Sequence, residues 1–108
     1  MFKIIFFVPE EYVEVVKQAM FQAGAGHIGD YDCCAWQIKG EGQFRPLKGS
    51  CAYIGNQNEL SKVEEYRVEL VCKKECIKAA MVALKSVHPY ETPAYEVLQM
   101  IDVLGEYC

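Results

Sequence analysis

EYRVELVCKKECIKAAMVALKSV, residues 65–87, contains two hydrophobic periods, one directly after the other. Up to Cys72 apolar and charged side chains alternate, which is typical of a β-strand with one buried face and one face toward water or a partner. From Lys74 to Val87 the apolar residues recur every three or four positions, which predicts an amphipathic helix. Pro89 ends this helix, because the residue before a proline avoids the helical region. The stretch therefore predicts a strand followed by a helix.

A second strand and helix pair opens the chain. Residues 2–8, FKIIFFV, are rich in β-branched and aromatic side chains and predict a strand buried on both faces, central in a sheet. Pro9 suits the first position of a helix, and this helix should stop at Gly24, which can take the left-handed capping conformation. Its buried stripe is predicted to consist of Val13, Val16, Met20 and Ala23.

Two more strands complete the pattern. A strand is predicted from Asp30 to Ile38, ended by Gly40 and Gly42, and another in the run AYEVLQMIDVL after Pro93. Residues 40–62 form a polar excursion in which short extended pieces are expected at 43–45 and 51–54. The order strand, helix, strand, strand, helix, strand predicts an α+β, ferredoxin-like sandwich with an antiparallel sheet, two helices on one face and a long arm between strands 2 and 3. The length of 108 residues predicts a single domain, 1–108.

Composition excludes several classes of partner. The net charge is −4 and the pI is near 5.1, so we expect no binding to nucleic acid or to anionic lipid, which requires clustered Lys and Arg. The first apolar run is too short for a signal peptide or a membrane span, which predicts a cytoplasmic protein. The cysteines are then expected to be reduced, and they lack the CxxC spacing of a metal site: Cys33, Cys34, Cys51, Cys72, Cys76 and Cys108.

The two histidines of the chain follow different helices. In the predicted topology His27 and His88 therefore lie at opposite ends of the sheet, and a site that joins them needs a second subunit. His27 stands in GAGHIG, residues 24–29, which follows a helix and precedes a strand, the reverse of a dinucleotide loop. Two interpretations remain: a glycine-rich helix exit in which His27 bonds a backbone group, or a loop whose amides and histidine hold a small anion or a metal ion.

The arm also has two interpretations. Arg45 and Lys48 with several glycines could form a basic, flexible loop that closes over an acidic small molecule. An arm of this length could equally pair with the edge strand of a neighbouring subunit.

HPYETPAYE, residues 88–96, is the densest polar cluster. The first interpretation is purely structural: this segment is the joint between the second helix and the last strand. Pro89 stops the helix, Pro93 keeps the chain extended, and Glu91 and Thr92 form hydrogen bonds with the backbone groups left free at the ends of these elements. A ligand contact through His88, Tyr90 and Glu91 is the second interpretation. Catalysis is the third, and we assign no catalytic residue, because one histidine three residues from a carboxylate is a weak metal signature and no hydroxyl lies in a nucleophile context.

Four segments together resemble one family: GAGHIGDYDCCAW, GEGQFRPLKGSCAYIG, VEEYRVELVC and HPYETPAYEV. They are similar, in the same order, to the accessory domain of the Nif-three-like family, also described as dinuclear-metal or GTP-cyclohydrolase type-two-like proteins. The resemblance runs from the first strand to about residue 100. It implies a likeness to the PII and CutA regulators, ferredoxin-like domains that commonly form trimers. The matching motifs include our candidate ligand-binding residues, which are His27, Arg45, His88, Tyr90 and Glu91.

The metal ligands of that family lie in histidine-rich and acidic motifs of its core, and these have no counterpart here, so no metal ligand and no cofactor is assigned. We expect a non-catalytic, cytoplasmic homo-oligomer, a trimer or else a dimer, that binds a small molecule, a metal ion or a protein. A partner subunit for a separate metal-core protein would be one such role. The alternative is a small metal-dependent enzyme whose site combines His27 of one subunit with His88 and Glu91 of the next.

Overall fold

The computed structural model describes residues 1–107, and Cys108 lies outside the described residues. A short 3-10 turn at Lys74–Cys76 leads into the second helix. The elements follow in the predicted order: β1 (Phe2–Val8), α1 (Glu10–Gln22), β2 (Trp36–Phe44), β3 (Ser61–Cys72), α2 (Ile77–Val87) and β4 (Tyr95–Gln99).

The four strands form one antiparallel sheet in the order β2-β3-β1-β4. β1 and β3 are the inner strands, and β2 and β4 are the edges. The central position of β1 agrees with its apolar sequence. Both helices pack against the same face of the sheet through one apolar cluster. The predicted α+β, ferredoxin-like fold with a long β2–β3 connection is therefore confirmed.

The core lies between the helices and the two inner strands. Side chains on one face of a strand are two residues apart, which brings alternate residues of β1 and β3 to the helices. On the other face of β1, Ile5 is also buried, at 3% exposed, whereas Lys3 and Phe7 are half-buried. The main core residues are Ile4, Phe6, Val8, Val13, Val16, Met20, Val68, Leu70, Cys72, Ala80 and Leu84.

The face of the sheet opposite the helices carries charges at its centre and apolar groups at its sides. Glu69 lies 3.3 Å from Lys3 Nζ and 3.1 Å from Arg67 Nε. We call this surface the open face. Large apolar side chains remain about half exposed on its two edge strands: Trp36 at 55%, Ile38 at 52% and Leu98 at 49%.

The predicted bounds of β2 are wrong. The strand begins at Trp36 rather than Asp30 and continues through Gly40 and Gly42 to Phe44. Pairing with β3 overrides the weak strand preference of glycine, since every residue of β2 has a partner in β3. The residues before Trp36 form turns instead, and Cys33 has a left-handed φ of 55°.

Other boundaries also shift. β3 begins at Ser61, four residues before the predicted start, and the expected strand at 51–54 is absent. β4 ends at Gln99, so the apolar residues after it are not part of the sheet. The connection between β2 and β3, which we call the arm, therefore comprises residues 45–60.

The β2–β3 hairpin extends beyond the rest of the sheet. β1 pairs with β3 only as far as Val8 opposite Tyr66, whereas β2 and β3 remain paired to Phe44 opposite Ser61. The molecule measures 48 × 23 × 23 Å with a radius of gyration of 15.0 Å, against about 13 Å for a compact domain of this length. The projecting hairpin and its arm account for this elongation. Within residues 1–107, no helix is both long and apolar enough to cross a membrane.

Candidate ligand-binding site

His88 lies at the joint between α2 and β4 and is buried, with 7% of its surface exposed. It leaves the helical conformation, with φ −73° and ψ 135°, as expected for the residue before a proline. Its Nε2 lies 2.6 Å from Phe7 O, and the Tyr90 amide donates to its Nδ1 over 3.1 Å. The acceptor role of Nδ1 assigns the proton to Nε2, which donates to Phe7 O.

These two hydrogen bonds give His88 a structural role. Burial lowers the pKa of His88, although the bond to Phe7 O opposes this by favouring the charged ring. The ring is therefore neutral near pH 7, and each of its nitrogens already has a partner within the chain. His88 ties the joint to β1 and supports the ring of Tyr90, whose centroid lies 4.9 Å away.

Tyr90 connects the joint to the projecting hairpin. Its hydroxyl donates to Glu65 Oε2 over 3.1 Å. Burial raises the pKa of Glu65, and the hydrogen bond from Tyr90 offsets part of that rise. Burial and the nearby Glu65 carboxylate raise the pKa of Tyr90 as well, so the tyrosine stays a neutral donor.

Gly42 makes room for this carboxylate. A Cβ added at Gly42 would collide with Glu65 Oε1, whereas a Cβ at Gly40 would meet nothing within 4 Å. The two glycines are on the same strand and face, so they differ mainly in the space that Glu65 needs.

The arm folds back over the joint. The Cys51 amide donates to Glu91 Oε1 over 2.9 Å, which fixes the middle of the arm against residue 91. The Tyr53 ring lies between the rings of Tyr12 and Tyr90, with centroids 6.1 and 6.2 Å away. The Asn58 amide donates to Pro46 O over 2.6 Å and closes the base of the arm. The arm is thus held by backbone hydrogen bonds and by aromatic contacts.

A cavity of about 260 Å³ lies between the arm, the end of the hairpin and the joint. We call it the arm cavity. Three rings contribute to its wall, those of Phe44, Tyr53 and Tyr90, and the Phe44 and Tyr90 centroids are 6.4 Å apart. Glu65 and Glu91 supply two carboxylates, and no Lys or Arg side chain of the described residues lines the cavity. Its chemistry is aromatic and acidic.

The structure brings only some of the predicted residues together. Tyr90 and Glu91 line the arm cavity, and His88 lies behind Tyr90. Arg45 is exposed at the start of the arm and does not line the cavity, so the expected basic loop over an acidic ligand does not form there.

His27 is exposed at the far end of the sheet, where the Gly26 amide donates to Val71 O. His88 instead bonds Phe7 O at the opposite end of β1. The prediction that the two histidines lie at opposite ends within one chain is confirmed. No hydrogen bond to the His27 ring occurs within residues 1–107, so the backbone contact expected for it does not form.

Sequence reasoning missed Glu65, Phe44 and Tyr53. Glu65 was placed only as an outward residue of a strand, and the contact with Tyr90 spans 25 residues of sequence. The sequence did contain one indication of this contact, because a glycine inside a strand often marks a close approach by another group. Gly42 is such a glycine, but its neighbour becomes known only from the strand register.

Metal ligands are sparse in the described part of the chain. No three His, Cys, Asp or Glu side chains among residues 1–107 converge as a metal ion would require. The five described cysteines are free thiols. Burial raises the pKa of Cys72 to about 11, which keeps this thiol protonated and unreactive.

The fold defines the class of the protein. CutA1 from Pyrococcus horikoshii superposes with a TM-score of 0.70 at 18% identity, covering 99% of this chain and 90% of that one. A PII-like CutA from Nostoc sp. PCC 7120 superposes with a TM-score of 0.66 at 15% identity over 93% of this chain and 81% of that one. The chain therefore has a CutA-like, PII-like fold. At these identities the likeness concerns the fold alone.

Within that class the chain is related to the Nif-three-like family, and the resemblance seen in the sequence is confirmed. It is 45% identical over 95 residues to a Bacillus subtilis protein named GTP cyclohydrolase 1 type 2 homolog, which is 88% of this chain and 26% of that protein. A Mycobacterium leprae protein of the same name is 39% identical over 104 residues, covering 96% of this chain and 27% of its own length.

A solved structure agrees with this relation. The Bacillus cereus protein related to NIF3 superposes with a TM-score of 0.81 at 35% identity, over 94% of this chain and 26% of that chain. This chain thus spans about a quarter of the length of the relatives that it matches. No family model matches the chain.

Proposed function

We propose that this chain is a non-catalytic binding domain of the Nif-three-like type, which assembles as a homo-oligomer and binds a small ligand in the arm cavity. The observation that carries the proposal is the cavity itself: three segments distant in sequence converge on it, and hydrogen bonds hold them in place. Its volume of about 260 Å³ is close to the lower end of small-molecule sites, which begin near 300 Å³.

A binding role fits these residues better than a catalytic one. Burial keeps the imidazole of His88 neutral, and two backbone groups occupy its ring nitrogens, so it is not free to exchange protons with a substrate or to bind a metal ion. Tyr90 is a poor acid, because burial and Glu65 raise its pKa. The intersubunit metal enzyme would need His88 to leave both partners, and we do not favour it.

Assembly is supported by the open face. Trp36, Ile38 and Leu98 are about half exposed there, and β2 and β4 present unpaired edges. We propose a trimer, with a dimer as the alternative. The five free thiols suit a reducing compartment, and we propose a cytoplasmic location on that ground.

Small-molecule binding can be tested without knowing the natural ligand. The full chain, labelled with ¹⁵N, would be titrated with a mixed set of organic cations, organic anions and neutral molecules of fewer than about ten heavy atoms. We expect at least one class to shift the amide signals of residues 50–54 and 90–92. If every class leaves those signals unchanged at millimolar concentration, the proposed function is wrong.

The assembly has a separate test. Light scattering should give about three times the chain mass of 12.3 kDa for a trimer. A mass of one chain at all concentrations would contradict the homo-oligomer and would leave the ligand site to its own experiment.

A further inference from the structure

The arm cavity has a chemical character that restricts its ligand. Phe44, Tyr53 and Tyr90 contribute aromatic rings to its wall, and aromatic faces attract cations through the negative charge of their π electrons. Glu65 and Glu91 add two carboxylates. Rings combined with carboxylates form a site that favours positive charge.

In each carboxylate, one oxygen accepts a hydrogen bond from the chain. Tyr90 donates to Glu65 Oε2, and the Cys51 amide donates to Glu91 Oε1. Within residues 1–107 no donor is hydrogen-bonded to the second oxygen of either group. These bonds hold both carboxylates in place. The second oxygen of each keeps its capacity to accept a hydrogen bond from a ligand N–H group, although that of Glu65, Oε1, lies against Gly42.

The chain does not neutralise Glu65 from within. Glu65 forms no ion pair within residues 1–107, and Lys39 of the same hairpin is paired with Glu64 at 3.3 Å and Glu10 at 3.9 Å. Glu11 adds further negative charge close enough to act on Tyr53 and Tyr90. The half-buried Glu65 carboxylate therefore lies near other negative charges without an ion-pair partner among residues 1–107. Burial raises its pKa separately, because removal from water disfavours the charged form.

We propose that the arm cavity binds a small organic cation, a guanidinium or alkylammonium group with a short apolar chain, between its aromatic rings and the Glu65 carboxylate. This inference rests on the proposed function and names the class of ligand. The cation would replace the missing positive partner of Glu65, and its apolar chain would lie against the rings. The same group could come from a free molecule or from the side chain of Arg45 in a second copy of the chain.

The test uses a pair of probes with the same shape. n-Butylguanidinium is positively charged and n-butylurea is neutral, so their difference isolates the charge. In ¹H–¹⁵N spectra of the full chain we expect n-butylguanidinium to shift the amides of Cys51, Tyr90 and Glu91, and to bind at least about tenfold more tightly than n-butylurea. Equal binding of the two probes, or stronger binding of butyrate, would overturn the inference while leaving a small-ligand function intact.

Two pairs of variants locate the site. Glu65→Gln keeps an acceptor for Tyr90 but removes the charge, and it should weaken n-butylguanidinium binding about tenfold. Glu64→Gln removes a neighbouring charge that is paired with Lys39 outside the cavity and should change binding little. Equal effects of the two variants would mean that net charge, rather than this site, attracts the probe.

The second pair alters no charge. Gly42→Ala displaces the Glu65 carboxylate, whereas Gly40→Ala meets nothing within 4 Å. We expect only Gly42→Ala to weaken probe binding, with both variants folded as judged by their amide spectra. Unchanged binding in a folded Gly42→Ala would contradict the assignment of Glu65.

Arg45→Gln distinguishes the two sources of the cation. If Arg45 of a second copy fills the cavity, this variant will shift the cavity amides without any probe and will tighten n-butylguanidinium binding. With a free molecule as the source, neither change occurs. Either of these two results is compatible with a cation site in the arm cavity. Arg45 does not line the cavity of its own chain, so weaker probe binding in Arg45→Gln would contradict the cation site.

Discussion

At the residue scale, His88 and Glu65 show how burial alters ordinary side chains. His88 looked like a ligand in the sequence because it stands beside Glu91 and two tyrosines. In the structure it is a tie between β1 and the joint, since both ring nitrogens bond backbone groups. Glu65 looked like a solvent-exposed strand residue and instead faces an aromatic cavity. Residue type alone did not reveal which carboxylate or imidazole was available to a ligand.

The His88 ring should make stability depend on pH. Its folded pKa is lowered, so below the ordinary value of 6.5 the unfolded state binds more protons than the folded state. Stability from this residue is fully present above pH 6.5 and falls as pH drops toward the folded pKa, by at most about 1.4 kcal/mol per pH unit. Urea unfolding from pH 8 to pH 5 measures this slope.

His88→Gln is the matching variant. It should lose about 1–3 kcal/mol at pH 7, because Phe7 O and the Tyr90 amide lose buried partners, and its stability should vary less with pH below 6.5. His27→Gln, at an exposed position, is the control and should keep the slope. An unchanged slope in His88→Gln would show that another group causes the acid sensitivity.

Glu65 gives a pH dependence of ligand binding. Its pKa is raised by burial, so it becomes protonated as pH falls while ordinary carboxylates are still charged. We expect n-butylguanidinium binding to weaken as pH falls through that pKa, and to lose this dependence in Glu65→Gln. Calorimetric titrations between pH 4.5 and pH 7.5 give the comparison, and an identical profile in the two proteins would exclude Glu65 as the responsible group.

At the element scale, β2 is the strand whose conformation and bounds are hardest to predict from its sequence. Its two glycines, polar residues and charges resemble a loop, yet it pairs along its full length with β3. Cross-strand hydrogen bonds and the twist of the hairpin decide its conformation. Local preference does not, since propensity for strands depends strongly on context.

Gln37 offers a test of how β2 is packed. Its Oε1 is a buried side-chain oxygen without a hydrogen bond in the described part of the chain, on the side of the strand that faces the helices. Gln37→Met should raise the free energy of unfolding by about 1 kcal/mol, because an unsatisfied buried acceptor is removed. Urea unfolding measures it, with the exposed Gln18→Met as control. A loss of stability would mean that Oε1 finds a donor from another chain in the assembly.

At the scale of the whole molecule, the open face and the projecting hairpin are the two features that a single chain leaves without a partner. The ion pairs of Glu69 with Lys3 and Arg67 occupy the middle of the open face, and apolar groups lie at its sides. The elongation to 48 Å places the arm cavity away from the core, at one end of the molecule. Phe44 and Glu65 of the cavity share the face of the β2–β3 hairpin with Trp36 and Ile38, but they lie further along it, beyond the end of β1.

The assembly should depend on the apolar groups of β2. Trp36→Glu places a charge on the open face and should convert the oligomer to a species of 12.3 kDa, as desolvating an unpaired carboxylate in an interface is costly. Val82→Glu, at an exposed site on α2, is the control and should keep the parental mass. Sedimentation velocity compares the two, and an oligomer that survives Trp36→Glu would show that another surface holds the subunits together.

The sequence by itself determined the order of the elements, the presence of both helices, the central position of β1 and the placement of the two histidines at opposite ends. These follow from hydrophobic periodicity and from proline and glycine signals, which act over a few residues. Only the tertiary structure decided the bounds of β2, the role of His88 and the arm cavity. Each of these depends on contacts between segments far apart in the chain, such as Cys51 with Glu91 and Tyr90 with Glu65. Periodicity carries no information on those contacts, because it records which side of an element is buried and not what lies against it.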